Sequence, residues 1–294
     1  MEIILITGGC GFIGSNVAKR EADEGNKVII FDNLERKGTE YNRKWLENLQ
    51  KNITVVKGDV RNTHELETCF KEHGPFAKVY HFAAQVAVTT SVTNPREDFD
   101  INAIGSFNLL EAVRKFSKDG VILYSSTNKV YGGMESFEIV ERNNRYEYKD
   151  FPRGATEDVP LDFHSPYGCS KGSADQYFID YYRIYGIKTI VFRQSCIYGY
   201  RQFGMEDQGW VAWFSMAALF NKPLTIFGDG KQVRDVLFID DLIDAYQEAA
   251  KNIEKTAGTA YNMGGCEFNI SLLELINILQ EHTGKKIEYT FDEW

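Results

Sequence analysis

The chain has 294 residues, enough for one large domain or two modest ones with a substantial core. Hydrophobic residues make up 43% and charged residues 26%, the balance of an ordinary soluble globular protein. The net charge of -9 speaks against a nucleic-acid binder, which needs clustered Lys and Arg, but leaves room for a small anionic substrate. No apolar run approaches the roughly 20 residues of a membrane span, and the start MEIILITGG lacks the length and basic flank of a secretion signal. Cys10, Cys69, Cys169, Cys196 and Cys266 are scattered without paired spacing, which predicts reduced thiols and a cytoplasmic protein. His64, His73, His81, His164 and His282 show no ligand spacing, so no metal site is expected.

In chain order, short β-branched or aromatic runs at Ile3–Ile6, Lys27–Phe31, Ile53–Val56, Val79–Phe82, Val121–Tyr124 and Thr189–Phe192 read as strands. Near-continuous apolar strands suit a parallel sheet covered on both faces. Helices are expected over Ile13–Glu24, His64–Glu72, Arg96–Phe116 and Ser170–Tyr185. This alternation predicts an α/β fold with a Rossmann-type, doubly wound parallel sheet. Met134 to Pro160 breaks the pattern: charged, irregular and longer than an ordinary connection, it reads as a lid or a mobile loop. Beyond Cys196 come an aromatic-rich stretch (Tyr198–Phe220), Pro223–Phe227, a strand–helix unit (Val236–Ala250) and a helix (Ile270–Thr283). The expected division is a Rossmann domain over 1–192 and a smaller C-terminal substrate-binding domain over 193–294, with 236–262 packing back on the first.

Ile3 to Gly14 runs strand, glycine turn, helix. Gly8, Gly11 and Gly14 permit a tight turn, close approach to a pyrophosphate and close helix packing, and the helix start carrying Phe12 and Ile13 favours phosphate. Asp32, followed by Asn33, ends the second strand, where a carboxylate can accept both ribose hydroxyls and repel a 2′-phosphate. That favours NAD over NADP, although Arg36 and Lys37 stand close by, and a plain turn-capping role for Asp32 stays open. Tyr167 and Lys171, in a YxxxK spacing, fall on one helix face one turn apart. Running a phenol of ordinary pKa about 10 as a base near neutrality asks for about 4 kcal/mol, which the Lys171 ammonium and a positive nicotinamide ring are the charges able to supply. Thr127, at the end of the fifth strand, completes the candidate trio.

The GxxGxxG spacing resembles the extended branch of the short-chain dehydrogenase/reductase family. Gly58-Asp59-Val60 and His81-Phe82-Ala83-Ala84-Gln85 match it as well. The resemblance implies that Asp59 faces the adenine amine, that Ala83, Ala84 and Gln85 line the pyrophosphate and nicotinamide ribose, and that Asn102 supports the active-site backbone. For His81 a packed structural histidine is at least as good a reading as any chemistry. In this family Tyr167 takes a hydroxyl proton as hydride passes to NAD, Lys171 bonds the nicotinamide ribose and Thr127 orients the same hydroxyl.

Dehydratases of the branch carry an acidic pair after the threonine. Here Asn128 and Lys129 stand there, which disfavours dehydration and leaves epimerisation. The runs Ser125–Gly132, Pro160–Gly168 and Arg193–Trp213 resemble the CDP-paratose 2-epimerase (CDP-tyvelose epimerase) subgroup, whose members invert carbon 2 of a CDP-linked dideoxyhexose through a 2-keto intermediate, in the setting of O-antigen sugars. Gln194, Ser195, Arg201 and Gln202 are then the expected substrate contacts, and Arg234 matches an arginine that grips the nucleotide diphosphate. Trp210 and Trp213 read first as core residues. Epimerisation at carbon 4 of a UDP-hexose is the alternative, and a silent NAD-binding sensor a more distant one, against which Tyr167 and Lys171 argue. Members of this family associate through helices like Arg96–Phe116 and Ser170–Tyr185, so a homodimer or homotetramer is implied. The subgroup's chains continue past a Trp at this point, so some nucleotide contacts are expected beyond Trp294.

Overall fold

A computed structural model describes every residue except Gln50, Lys51, Pro152, Asp207, Glu267 and Trp294. The expectation about the chain's end at Trp294, and the Asp207 position of the Arg193–Trp213 run, therefore lie outside the described residues.

Seven strands form one parallel sheet: β1 (Ile3–Thr7), β2 (Lys27–Asp32), β3 (Ile53–Lys57), β4 (Lys78–His81), β5 (Val121–Thr127), β6 (Lys188–Gln194) and β7 (Thr259–Met263). Their order is β7-β6-β5-β4-β1-β2-β3, parallel throughout. Because side chains alternate across a strand, Ile4 and Ile6 of β1 enter one core and Leu5 the other. Leu5's face packs Leu109, Leu110, Val113 and Phe178. The opposite face packs Val17, Leu46, Leu242 and Tyr246. Burial on both sides explains why the strands read as continuous apolar runs. The order reverses between β1 and β4, which opens a crevice at the strands' carboxyl ends.

A further group of elements surrounds that crevice. Cys196–Tyr198, Val233–Phe238 and Asn269–Ser271 make a three-stranded sheet, and Leu224–Phe227 pairs with Tyr289–Asp292. The helices Trp210–Phe220 and Leu272–Thr283 close a separate core of Phe214, Leu224, Ile226, Leu275, Ile276 and Ile287. The second helix starts on a capping box, Ser271 with Glu274. The chain returns to the main sheet at β7, and the longer of the two helices before it, Ile239–Lys251, packs Ile239, Leu242 and Tyr246 into the main core.

Several elements depart from the sequence-based expectation. The helix expected from Ser170 begins at Ser165, with Pro166 in its first turn where the missing N–H costs nothing. The helix expected over Arg96–Phe116 is three pieces: Pro95–Phe99, a wider π turn at Asp100–Ile104, and Gly105–Phe116. Gly105 sits where a Cβ would meet Val60 at 2.6 Å, so the chain is pressed against the loop after β3. The Thr39–Leu49 helix and β7 were not expected. Within 134–160 lies a hairpin, Ile139–Arg142 with Arg145–Tyr148, whose turn residues Asn143 and Asn144 both have positive φ, as a two-residue hairpin turn of this hand requires. The hairpin is held to the C-terminal elements by Arg145 on Glu274, Lys231 on Glu141, and Tyr146 on Asp229. Among the described residues no helix is long and apolar enough to cross a membrane.

Candidate active site

A cavity of about 700 Å³ occupies the crevice. One end is shaped by the glycine loop. Gly8 has φ +67°, and a Cβ there would meet the Ala83 nitrogen at 2.6 Å. At Gly14 a Cβ would meet the Gly8 carbonyl at 2.4 Å, so the helix start rests directly on the turn. Gly11 caps that helix through its backbone, and Phe12, Ile13 and Gly14 follow it along the wall. Asp32 Oδ2 accepts from the Cys10 N–H at 2.9 Å and Oδ1 from the Leu34 N–H at 2.8 Å. Its carboxylate thus caps the next turn and fixes the glycine loop together, while still lining the cavity. Burial raises its pKa, and the two backbone hydrogen bonds oppose that. Arg36 is engaged by the Gln208 side chain.

Asp59 is clamped by Arg61 (Nη2 to Oδ2 2.6 Å, Nε to Oδ1 2.9 Å) and accepts from Asn33 Nδ2 at 3.1 Å. The guanidinium holds its pKa down at about 2, so it is a fixed anion at this end. Asn33, Asp59, Val60, Ala83, Ala84 and Gln85 all line the cavity. Asn102, expected as a cofactor contact, does not: it lies one layer behind the wall, on the π turn. Its Oδ1 accepts from the Gln85 N–H at 2.9 Å and its Nδ2 donates to the Gln85 carbonyl at 3.1 Å. The wider π turn sets this amide against the loop after β4, a common use of such turns at functional sites. His81 is also behind the wall, bonded to Thr7 Oγ1 (2.7 Å) and Ser106 Oγ (2.9 Å) and stacked on Tyr124. Burial and the Lys171 charge push its pKa down to about 3, so it is a neutral, fully satisfied core histidine.

Thr127, Tyr167 and Lys171 meet midway along the cavity. Thr127 ends β5, in register with Gln194 on β6. Its hydroxyl hydrogen-bonds the Tyr167 phenol and caps the following turn by accepting from the Lys129 N–H at 3.2 Å. Burial raises the Tyr167 pKa to about 12; the Thr127 hydrogen bond lowers it and the Asp98 charge raises it. Lys171 donates to the Ser125 carbonyl at 2.5 Å and lies 4.3 Å over the Tyr124 ring. Burial pulls its pKa down to about 7, opposed by Asp175 and Asp98. Within the protein alone the phenol is therefore neutral, and a positive charge beside it is what turns it into a base.

The far end gathers Asn128, Lys129, Gln194, Ser195, Cys196, Arg201, Gln202, Trp210 and Arg234 along the wall. Gln194 spends its amide N–H on the Tyr246 hydroxyl. Arg201 stacks 3.9 Å over Trp45, on the Thr39–Leu49 helix. Gln202 Nε2 donates to the Ile197 carbonyl at 3.1 Å, but its Oε1 is buried with no partner among the described residues. The Trp210 indole N–H is also buried without an oxygen or nitrogen partner there. Trp210 both packs the C-terminal core and lines the cavity, whereas Trp213 only packs. Lys129 was read from sequence for the acid it replaces. Here it is an exposed cation on the wall, its pKa lowered by partial desolvation and then by the Arg234 charge.

A glycine-turn nucleotide cradle leading to a Tyr–Lys pair at the carboxyl edge of a doubly wound sheet is the site of a nicotinamide-dinucleotide-dependent enzyme. Residues 4–264 match the NAD dependent epimerase/dehydratase family, and the chain belongs to it. It is 49% identical to the CDP-paratose 2-epimerase of Salmonella typhi, across 98% of this chain and 86% of that protein. Among solved structures, the Thermotoga maritima UDP-glucose 4-epimerase with UDP-glucose is 33% identical, with a TM-score of 0.80 over 99% of this chain and 86% of that one. The Thermus thermophilus UDP-glucose 4-epimerase complexed with NAD is 29% identical, with a TM-score of 0.80 over 98% of this chain and 85% of that one. The chain is an NAD-dependent nucleotide-sugar epimerase, an isomerase whose cofactor is NAD.

Proposed function

We propose that this epimerase inverts carbon 2 of a CDP-linked dideoxyhexose, turning CDP-paratose into CDP-tyvelose. The observation that carries the reading is the 49% identity to a CDP-paratose 2-epimerase along nearly the whole chain. The site is consistent with it: Asn128 and Lys129 occupy the cavity wall beside Thr127, with no carboxyl group in either position to drive dehydration.

The glycine loop, Asp32 and Asp59 would hold the adenosine diphosphate half of the cofactor, and Ala83, Ala84, Gln85 and Lys171 the nicotinamide half. Bound NAD supplies a hydride acceptor that later returns what it took, and its ring adds the positive charge Tyr167 lacks. Tyr167 takes the proton from the substrate hydroxyl while Thr127 hydrogen-bonds the same oxygen. The resulting ketone turns to present its other face, and Tyr167 gives the proton back. Arg234 and Lys129 would meet phosphate oxygens, and Arg201, Gln202 and Ser195 the rest of the nucleotide sugar. Asp32 and the engagement of Arg36 by Gln208 favour NAD over NADP.

The chain acts as two lobes, 1–192 and 193–294, with 236–262 returning to the first. It works in the cytoplasm as a homodimer or homotetramer. Exposed Phe99, Ile104, Phe107 and Tyr177 on the Pro95–Phe116 and Ser165–Tyr185 segments supply an apolar face for a second copy. The test is incubation of the NAD-loaded protein with CDP-paratose and, separately, UDP-glucose, with the products identified by NMR. Tyvelose from the first and no galactose from the second is expected; the reverse assigns carbon-4 epimerisation of a UDP-hexose instead.

A further inference from the structure

Asp98 lies outside the cavity wall and only 1% exposed, on the Pro95–Phe99 helix. Its Oδ2 accepts from Ser170 Oγ at 2.5 Å. Its Oδ1 accepts from Gln85 Nε2 at 2.8 Å and Asn102 Nδ2 at 3.1 Å. Among the described residues it forms no ion pair, and Lys171 is the cation that acts on it. A buried carboxylate held by neutral donors alone is costly. Asp175, equally buried on the Tyr167–Lys171 helix, is the contrast: Arg193 clamps it at 3.0 and 3.1 Å, and Ser126 adds a third bond at 2.7 Å. Arg193 therefore pairs with Asp175, which still acts on Lys171 ahead of Asp98, and no guanidinium pairs with Asp98 among the described residues.

Ser170 precedes Lys171 and follows Tyr167 by three residues; its one hydroxyl proton goes to Asp98, and its Oγ lies 3.1 Å from the Tyr167 carbonyl. Gln85 is on the opposite wall of the cavity. One carboxylate thus ties the helix turn bearing the proton-transfer pair to the loop facing it. We propose that Asp98 is a positioning residue that fixes the Tyr167–Lys171 turn through Ser170 and, with Asp175, supplies counter-charge to the Lys171 ammonium. The proposal rests on Tyr167 being the base.

Several titratable groups lie around Asp98 and Lys171. From the Ser165–Tyr185 helix come Tyr167, Lys171 and the Arg193-bound Asp175. The β4 strand contributes neutral His81, and β5 contributes Tyr124, kept protonated by burial. The neighbouring Glu97 is at the surface beside Arg61, 4.0 Å away. The Asp98 charge favours the proton on both Tyr167 and Lys171. Neutralising it should release both protons at lower pH.

The experiment follows the Tyr167 phenolate in the NAD-loaded protein by ultraviolet difference absorbance, with Tyr167→Phe as the blank. In Asp98→Asn, and in the smaller neutral Asp98→Ser made beside it, the transition is expected about one pH unit lower than in the unaltered protein. Ser170→Ala removes the tether but keeps the charge, so it should leave the transition in place and loosen NAD retention. A transition unmoved in whichever Asp98 variant folds and retains NAD overturns the proposal alone. A protein whose Tyr167 shows no transition below that of free tyrosine overturns the base assignment and the proposal with it.

Discussion

Backbone shapes one half of the cavity, at Gly8, Gly11, Gly14 and Ala83–Gln85, and side chains shape the other, at Lys129, Gln202, Trp210 and Arg234. In the first half each stretch directly follows a strand of the main sheet, and Asp32 and Asp59 have their oxygens tied down by the protein itself. In the second half the wall comes from separate segments, and among the described residues Gln202 Oε1 and the Trp210 N–H are buried without an oxygen or nitrogen partner. A cofactor that stays the same across a family suits a preformed backbone cradle. A substrate that differs between relatives suits side chains whose polar groups wait for it, since an unpaired buried group discriminates strongly between ligands that do and do not satisfy it.

The two halves meet at Tyr167, where the largest effect is expected. Tyr167→Phe should lower turnover about 10³-fold, the range of general acid–base contributions, while NAD content is unchanged. Turnover within a few-fold of the unaltered protein would remove Tyr167 as the base. Next comes His81, beneath the cofactor half. Its folded pKa of about 3 lies below the ordinary 6.5, so between those values the unfolded chain binds the extra proton. Its contribution to stability is whole above about pH 6.5 and falls as pH drops toward 3, by up to about 1.4 kcal/mol per pH unit. Urea unfolding midpoints measured across that window should fall steeply, and less steeply in His81→Gln. Equal slopes would show that His81 carries no such linkage.

The same contrast governs how far the sequence could be read. Gly8, Asp32, Thr127, Tyr167 and Lys171 each stand at the end of an apolar run or at helical spacing from one another, so periodicity and turn chemistry located them. Asn102, expected from the resemblance as a support and a cofactor contact, lies one layer behind the wall against Gln85, because a π turn cannot be told from an α-helix by apolar spacing. The hairpin inside 134–160 had a local signal, the Asn143-Asn144 pair between β-prone runs, that composition masked with charge. For β7, the paired residues Thr259–Met263 carry only one strongly apolar side chain, Met263, beside Ala260 and Tyr261, so tertiary pairing with β6 decided the strand. The Arg201–Trp45 stack joins residues 156 positions apart in sequence, and no local pattern could show that pairing even though Tyr41, Trp45 and Leu49 recur at helical spacing.

A sharper test of the cofactor half is Asp32. Replacement by Ala frees the Cys10 and Leu34 N–H groups and removes the negative charge facing the ribose. NAD affinity should fall about 10-fold while NADP affinity rises, measured by titration of protein stripped of its nucleotide. Unchanged affinities for both would mean that Asp32 serves only the turn.

The smallest effect separates the halves most cleanly. Gln202→Leu keeps the side-chain volume, removes the unpartnered Oε1 and gives up one hydrogen bond to the Ile197 carbonyl. If Oε1 meets a substrate group, losing that bond costs about 1 kcal/mol, and KM for the nucleotide sugar should rise about 5-fold. NAD retention and the pH profile should not move, because Gln202 touches neither Asp32 nor the Tyr167 pair. Lost NAD in this variant would mean that the two halves are mechanically one, and that the division between backbone cradle and side-chain wall describes their composition alone.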